Sequence, residues 1–396
     1  MAFQRNLHDS MDAKLWSRLP EDLMQRVLVF LPIPDVLRLR CVSKSWNSLL
    51  STRRFLLPLD CCPSNATITT VSQLPLEEQP YLLCLTTVES NPIIHVYNVP
   101  LCKWDVISLS FLPSLEEISV VKSGGGLIYL KARLGYRDDT VFLTCNPLTK
   151  TWKQLPPFSE NEPYRLGMSS LTSMVCNPRC SSSDLGYRII EAGLNGLTDL
   201  RTKIYDSATG AWKTSGALPA EITGFESEGI VVNNCLYGVT CLPYKIIKME
   251  LDESDSSWSE FSPGLPSCAV FPHLVESLGE MLMIGGYDPC WEEGLIPEPI
   301  SLKVWRMNRS LMEWEDVSTL PFDMLQRYLT KDCFDSLKCA SHGSTVYISS
   351  LDGSVVLVYD QIQNSWTRLL ECPYLSNRQS CIEYMFIFNP SLQISL

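Results

Sequence analysis

Apolar positions recur at helical spacing through the first part of the chain and gather into short β-like runs from about residue 80 onward. Pro20 followed by Glu21 and Asp22 marks a helix start, because proline suits a first turn and carboxylates suit the positive end of the helix dipole. Leu23, Val27, Phe30 and Leu31 then fall on one face. Pro32-Ile33-Pro34 stops that helix, and Asp35 is placed to cap a second one carrying Val36, Leu37 and Leu39. A third segment brings Val42, Trp46, Leu49 and Leu50 to one side. Three helices of this length cannot bury all these faces against one another, so the excess needs cover from the rest of the chain or from a partner.

Further on, the pattern repeats. A β-like run, a turn and a tryptophan opening a second short strand recur six times, with Trp104, Trp152, Trp212, Trp258, Trp314 and Trp366 at intervals of 48, 60, 46, 56 and 52 residues. A period near fifty built from several short strands is that of β-propeller blades and resembles kelch repeats. A four-stranded blade cannot bury both faces alone, and a large aromatic at one fixed position fills the gap to its neighbour. Asn146-Pro147, Asp206-Ser207, Asp252-Glu253 and Asp352-Gly353 supply turn chemistry. Gly124-Gly125-Gly126 and Gly285-Gly286 match the glycine pair of kelch units, with Gly193 and Gly238 as single remnants. The aromatic run Tyr384 to Phe388 is expected to complete the first blade and remove an open edge. The expected fold is a small all-α three-helix module followed by an all-β kelch-like propeller of six blades. A seventh blade around residues 66 to 90 is the alternative count.

The N-terminal residues carry a second resemblance. Leu19-Pro20, Leu23, Val27, Leu31-Pro32, Leu37 and Arg40-Cys41-Val42-Ser43-Lys44-Ser45-Trp46 look like an F-box, the helical module by which substrate receptors dock on the Skp adaptor of cullin-RING ubiquitin ligases. Ser43 stands where the commoner pattern has cysteine. Gly126-Leu127-Ile128-Tyr129 with Asn146 to Pro157 also resembles plant F-box/kelch receptors. The resemblance implies that Leu19, Pro20, Leu23, Val27, Leu31, Leu37, Val42, Lys44 and Trp46 contact the adaptor, and through it a cullin scaffold. It implies boundaries of 1–14 for a flexible N-terminus, 15–56 for the F-box and 57–80 for a linker with a possible first strand. The propeller then takes 81–396, closed by a strand near 383–388.

Charge sharpens the picture. The chain of 396 residues is net −12, yet residues 14 to 54 hold eight basic and three acidic side chains. A basic module on an acidic body favours an acidic partner at the module and disfavours nucleic acid elsewhere. No run approaches the 18 apolar residues of a membrane span, and Met1 to Asp12 lacks the apolar core of a secretion signal. The expected location is therefore the nucleus, the cytoplasm or both. In that setting the 16 cysteines read as free thiols, and Cys61-Cys62 and Cys176 with Cys180 lack the second ligand pair that zinc needs. The sequons at Asn65 and Asn308 would then go unused.

No nucleophile elbow, phosphate loop or metalloprotease motif appears, and the four histidines (His8, His95, His273, His342) are scattered. Neither an enzyme nor a cofactor is expected. What remains is binding through loops. Three stretches exceed the repeat, Lys131 to Asp139, Asn161 to Arg165 and Tyr287 to Pro299. Tyr136, Arg137, Tyr164, Arg165, Tyr287 and Trp291 are the candidate contacts with a target protein, since Tyr, Trp and Arg most often anchor interfaces. Phe322 to Leu329 has helical spacing, as a lid or as filler beside the last blade. The expected function is the substrate-recognition subunit of a ubiquitin ligase. A propeller scaffold outside any ligase, or a sensor gated by a ligand in the propeller channel, are the alternatives.

Overall fold

The computed structural model divides into two compact units, Met1–Gln79 and Pro80–Leu396. It describes residues 20, 23–24, 39, 42–46, 80–88, 91–99, 102–134, 140–158, 170–176, 186–195, 199–219, 221–222, 224–241, 243–251, 257–266, 268–291, 299–329, 331–350, 355–369, 372 and 382–389. The strand expected around residues 66 to 72 lies outside them.

In the larger unit the described residues form six four-stranded antiparallel sheets. The second, from its first to its fourth strand, is β4 (Leu115–Gly124), β5 (Leu127–Leu134), β6 (Thr140–Asn146) and β7 (Thr151–Gln154). The third is β8 (Leu171–Cys176), β9 (Tyr187–Asn195), β10 (Asp199–Asp206) and β11 (Ala211–Ala217). The fourth is β12 (Ile230–Val232), β13 (Cys235–Val239), β14 (Ile246–Glu250) and β15 (Ser259–Glu260). The fifth is β16 (Ala269–Ser277), β17 (Glu280–Tyr287), β18 (Ser301–Asn308) and β19 (Glu313–Thr319). The sixth is β20 (Lys338–His342), β21 (Thr345–Ser349), β22 (Leu357–Asp360) and β23 (Ser365–Arg368). The first sheet is completed from the far end of the sequence. Its β1 (Tyr81–Val88), β2 (Asn91–Asn98) and β3 (Lys103–Ser108) are joined by β24 (Tyr384–Phe388), which pairs with β1 from Tyr81↔Phe388 to Leu85↔Tyr384.

The first strands β24, β4, β8, β12, β16 and β20 touch one another in a closed circle. The molecule is therefore a six-bladed β-propeller. Each blade is flanked on both faces, so its middle strands can be buried on both, as β6 is from Val141 to Asn146 and β17 from Met281 to Gly286. In β1, Leu82 and Cys84 join the core shared with the sixth blade while Leu83 and Leu85 join that shared with the second. One core cluster fills each of the six seams.

The repeated tryptophan ties these seams together. Its indole N–H donates to the preceding blade from Trp212 (Pro156 O, 2.7 Å), Trp258 (Thr202 Oγ1, 2.7 Å), Trp314 (Gly264 O, 3.1 Å) and Trp366 (Ser318 Oγ, 3.0 Å). Trp104 is buried in the seam with the sixth blade, but Trp152 stands exposed on the outer strand and fills no gap, contrary to the expected role.

The turn before each tryptophan also repeats. Asn146, Asp206, Asn308 and Asp360 end third strands, and their side-chain oxygens accept amides two residues on, for example Ile362 N to Asp360 Oδ1 at 2.9 Å. Four residues later comes a left-handed residue, Lys150, Gly210, Met312 or Asn364, and two after that the tryptophan. Asp252-Glu253 and Asp352-Gly353 lie outside the described residues.

The glycines are corrected in part. Gly125 and Gly126 form the β4–β5 turn, with φ of 55° and 88°, whereas Gly285 and Gly286 lie within β17. The equivalents of the latter are Gly193 and Gly238, also on second strands. A Cβ on Gly286 would come within 2.7 Å of Pro299, one on Gly193 within 2.8 Å of Ser170, and one on Gly238 would overlap Leu171. These glycines let neighbouring elements pack closely. Helix α1 (Phe322–Tyr328) joins the fifth and sixth blades, packing Met324, Leu325 and Tyr328 on the seam core, so it is filler there rather than a lid.

Candidate functional site

In the N-terminal unit the described residues show two helix starts. Leu23 N and Met24 N both bond Pro20 O, at 3.1 and 3.0 Å, so Pro20 heads the first. Ser43 heads another, its hydroxyl accepting Trp46 N at 3.1 Å, which is what an N-cap does. Serine in place of cysteine thus provides a side-chain acceptor for a helix-start amide. Leu23 is 44% exposed and Val42 65%, Pro20 and Lys44 are exposed, and Trp46 is half-buried. Leu19, Val27, Leu31 and Leu37 lie outside the described residues.

The propeller has two ends. Because strands alternate in direction, the turns between first and second and between third and fourth strands share one end, the hairpin end. Second-to-third links and the connections between blades share the other, the loop end. Tyr287 closes β17 at the loop end, half-buried, with the Lys303 ammonium 4.3 Å from its ring centroid. Trp291 lies in the following link, half-buried, its ring 5.8 Å from that of Tyr244 in the corresponding link of the fourth blade. Tyr136, Arg137, Tyr164 and Arg165 are outside the described residues. One of the long stretches is shorter than expected, since Lys131 to Leu134 belong to β5.

Lys131 itself is buried, its Nζ 2.8 Å from Glu191 of the third blade. The side chains of Ser170 and Thr172 complete this polar cluster, Thr172 Oγ1 donating to the other Glu191 oxygen at 3.1 Å.

At the centre runs a channel of about 270 Å³ to which every blade contributes, among others Lys122, Thr172, Glu226, His273, Lys338 and Tyr384. Lys122 pairs with Glu228 across it. Burial holds the Glu226 carboxyl above its ordinary range, opposed by the Cys241 thiol that donates to it at 3.4 Å. Burial and then the Glu226 charge push Cys241 up to about 12. Burial lowers the imidazole of His273, enclosed in the wall, which favours its neutral form. Among the described residues no three His, Cys, Asp or Glu side chains are grouped to hold a metal ion.

Sequence reasoning missed Tyr244 and Glu226. Neither sits in a periodic pattern, and their partners Trp291 and Cys241 become neighbours only through the blade links.

Comparison with known proteins agrees with this architecture. Residues 16–58 match the F-box domain model, so the chain joins an F-box domain to a six-bladed propeller. Its relatives include "F-box only protein 6" of Arabidopsis thaliana, 23% identical over 92% of this chain and 71% of that protein. An F-box/kelch-repeat protein of the same plant is 25% identical, covering 96% of this chain and 90% of its own length. "SKP1-interacting partner 15", also from Arabidopsis thaliana, is 23% identical over 84% and 87%.

Proposed function

We propose that this protein is the substrate-recognition subunit of a ubiquitin ligase of the Skp–cullin–F-box type, acting in the nucleus or cytoplasm without chemistry of its own. The observation that carries the reading is the F-box match at residues 16–58, with Leu23 and Val42 of that module standing in solvent as large apolar side chains. Leu19, Pro20, Leu23, Val27, Leu31, Leu37, Val42, Lys44 and Trp46 then supply the adaptor contact, and the module's excess of basic side chains suits an acidic adaptor. A relative named for interaction with the adaptor supports the same contact here.

The propeller's part is to hold a target protein, with the aromatic links at the loop end, Tyr287 and Trp291 among them, as the contact. Catalysis is by proximity: holding the target near a ubiquitin-charged enzyme raises the effective concentration of its lysines. The test is the double substitution Leu19→Ala, Pro20→Ala in the full chain. Adaptor co-purification should vanish while the propeller melts at its usual temperature. Undiminished adaptor capture would overturn the reading.

A further inference from the structure

At the hairpin end, the turn between first and second strands of the fifth blade departs from those described in the second, fourth and sixth. Turns between first and second strands need left-handed residues, and the second blade uses Gly125 and Gly126, the fourth Asn233 and Asn234, the sixth Gly343. These residue types adopt that conformation readily. The fifth blade places Leu278 there, at φ 54°, ahead of Gly279 at φ 78°. Between third and fourth strands the left-handed position is Gly210 or Asn364 in the third and sixth blades and Cys102, Lys150 or Met312 in the first, second and fifth, Met312 at φ 54°.

Both strained side chains face water, Leu278 at 52% and Met312 at 42% exposure, beside Leu311 at 66% and Ile362 of the sixth blade at 73%. The two blades meet at this end. Gln361 donates to Glu280 at 2.6 Å, and Ser277 Oγ donates to Gly343 O at 2.7 Å. An exposed leucine where the matching turns hold Gly or Asn, grouped with three further exposed apolar side chains on adjoining turns, points to use rather than packing.

We propose that Leu278, Leu311, Met312 and Ile362 form a docking surface for a partner protein segment whose apolar side chains are flanked by Lys or Arg. The flanking charge selects this occupant. The three turns 276–280, 308–313 and 360–364 carry Glu276, Glu280, Glu313 and Asp360 against Arg309 alone. A second copy of the chain would set carboxylates against carboxylates, which disfavours self-pairing. The surface lies at the end of the propeller away from Tyr287 and Trp291, so it stands whether or not the ligase reading does.

The test pans phage-displayed random 16-residue peptides on the purified full chain. The comparison protein is the variant Leu278→Asn, Leu311→Ser, Met312→Asn, Ile362→Gln. Because asparagine takes left-handed φ readily, the variant should melt at the same temperature or about 1–3 °C higher. Peptides selected on the native chain should bind the variant at least about tenfold more weakly, carry apolar pairs flanked by Lys or Arg, and weaken with added salt. Ile362→Gln alone, at a position with ordinary backbone, should weaken them about threefold or more and guards against a misfolded quadruple variant. Peptides held equally by both proteins, peptides with neutral or acidic flanks, or no peptide captured would each overturn the proposal. So would a dimer of the native chain in sedimentation that the quadruple variant abolishes, since that assigns the surface to a second copy.

Discussion

The seam between the second and third blades and the seam between the fifth and sixth are built on the same strand plan and filled with opposite chemistry. The former encloses Tyr129, Phe142, Tyr187 and Tyr205 together with the Lys131–Glu191 ion pair and its two hydroxyls. The latter packs Leu282, Ile284 and Val304 against Val346, Ile348 and Phe334, and keeps its polar ties at the rim, as in Trp366 to Ser318. A buried ion pair contributes little net stability over an apolar replacement but leaves a large penalty when one partner is removed. An apolar seam loses stability in proportion to the volume deleted. One seam is therefore intolerant of single changes and the other graded in its response.

The largest expected effect breaks the polar seam. Lys131→Met should cost about 3–5 kcal/mol by leaving Glu191 buried and unpaired, whereas Lys131→Met with Glu191→Leu should return to within about 1–2 kcal/mol of the native chain. Denaturant midpoints of the three proteins decide this, and equal losses in single and double variants would erase the distinction.

Next come the tryptophan ties. Trp258→Phe removes a buried hydrogen bond to Thr202 and should cost about 1–3 kcal/mol, while Trp152→Phe, on an exposed outer strand, should stay within about 0.5 kcal/mol. In the apolar seam Ile348→Val should cost only about 0.5–1.5 kcal/mol.

The smallest effect is a pH dependence seated in the channel, between the seams. Burial raises the folded-state pKa of Glu226 above its ordinary 4.5, so the stability it contributes is present below about that pH and lost as pH rises through the folded value. His273 is lowered from 6.5 by burial, so its contribution is present above that pH and lost as pH falls. The variant Glu226→Gln should therefore gain melting temperature over the native chain at pH 7.5 but not at pH 4.5. An equal difference at both would exclude Glu226 as the cause.

Much of this fold is legible in the sequence, because propellers repeat. Six tryptophans at intervals near fifty announce six blades. The more exact signal is the acidic or amide side chain six residues before each, Asn146 before Trp152 and Asp360 before Trp366, since it carries the turn as well as the strand. Reading turns from adjacent pairs finds Asp252, on that offset before Trp258, but also Asp352, which is off it. The glycines misled because one residue type answers two demands, left-handed φ at Gly125 and close packing at Gly286. Lys131 opens a stretch that exceeds the repeat length and so reads as a loop, whereas it lies within β5. Only the alternation Leu127, Tyr129, Lys131 puts it inside a strand, and nothing local reveals Glu191 sixty residues on. The candidate contacts Tyr287 and Trp291 were chosen by residue type, and type alone does not show that Lys303 and Tyr244 already engage them.

The pairing of β24 with β1 has a consequence in time. A ribosome delivers Tyr81–Val88 before the other five described sheets and Tyr384–Phe388 after them, so the first sheet stays incomplete until those five have been made. A nascent chain stalled anywhere before residue 384 holds β1 with one unsatisfied edge, a template for pairing with the wrong molecule. Translation and release of Tyr384–Phe388 therefore act as the clasp of the ring, and a stop codon placed just before residue 384 should be as damaging as one in the middle of the propeller.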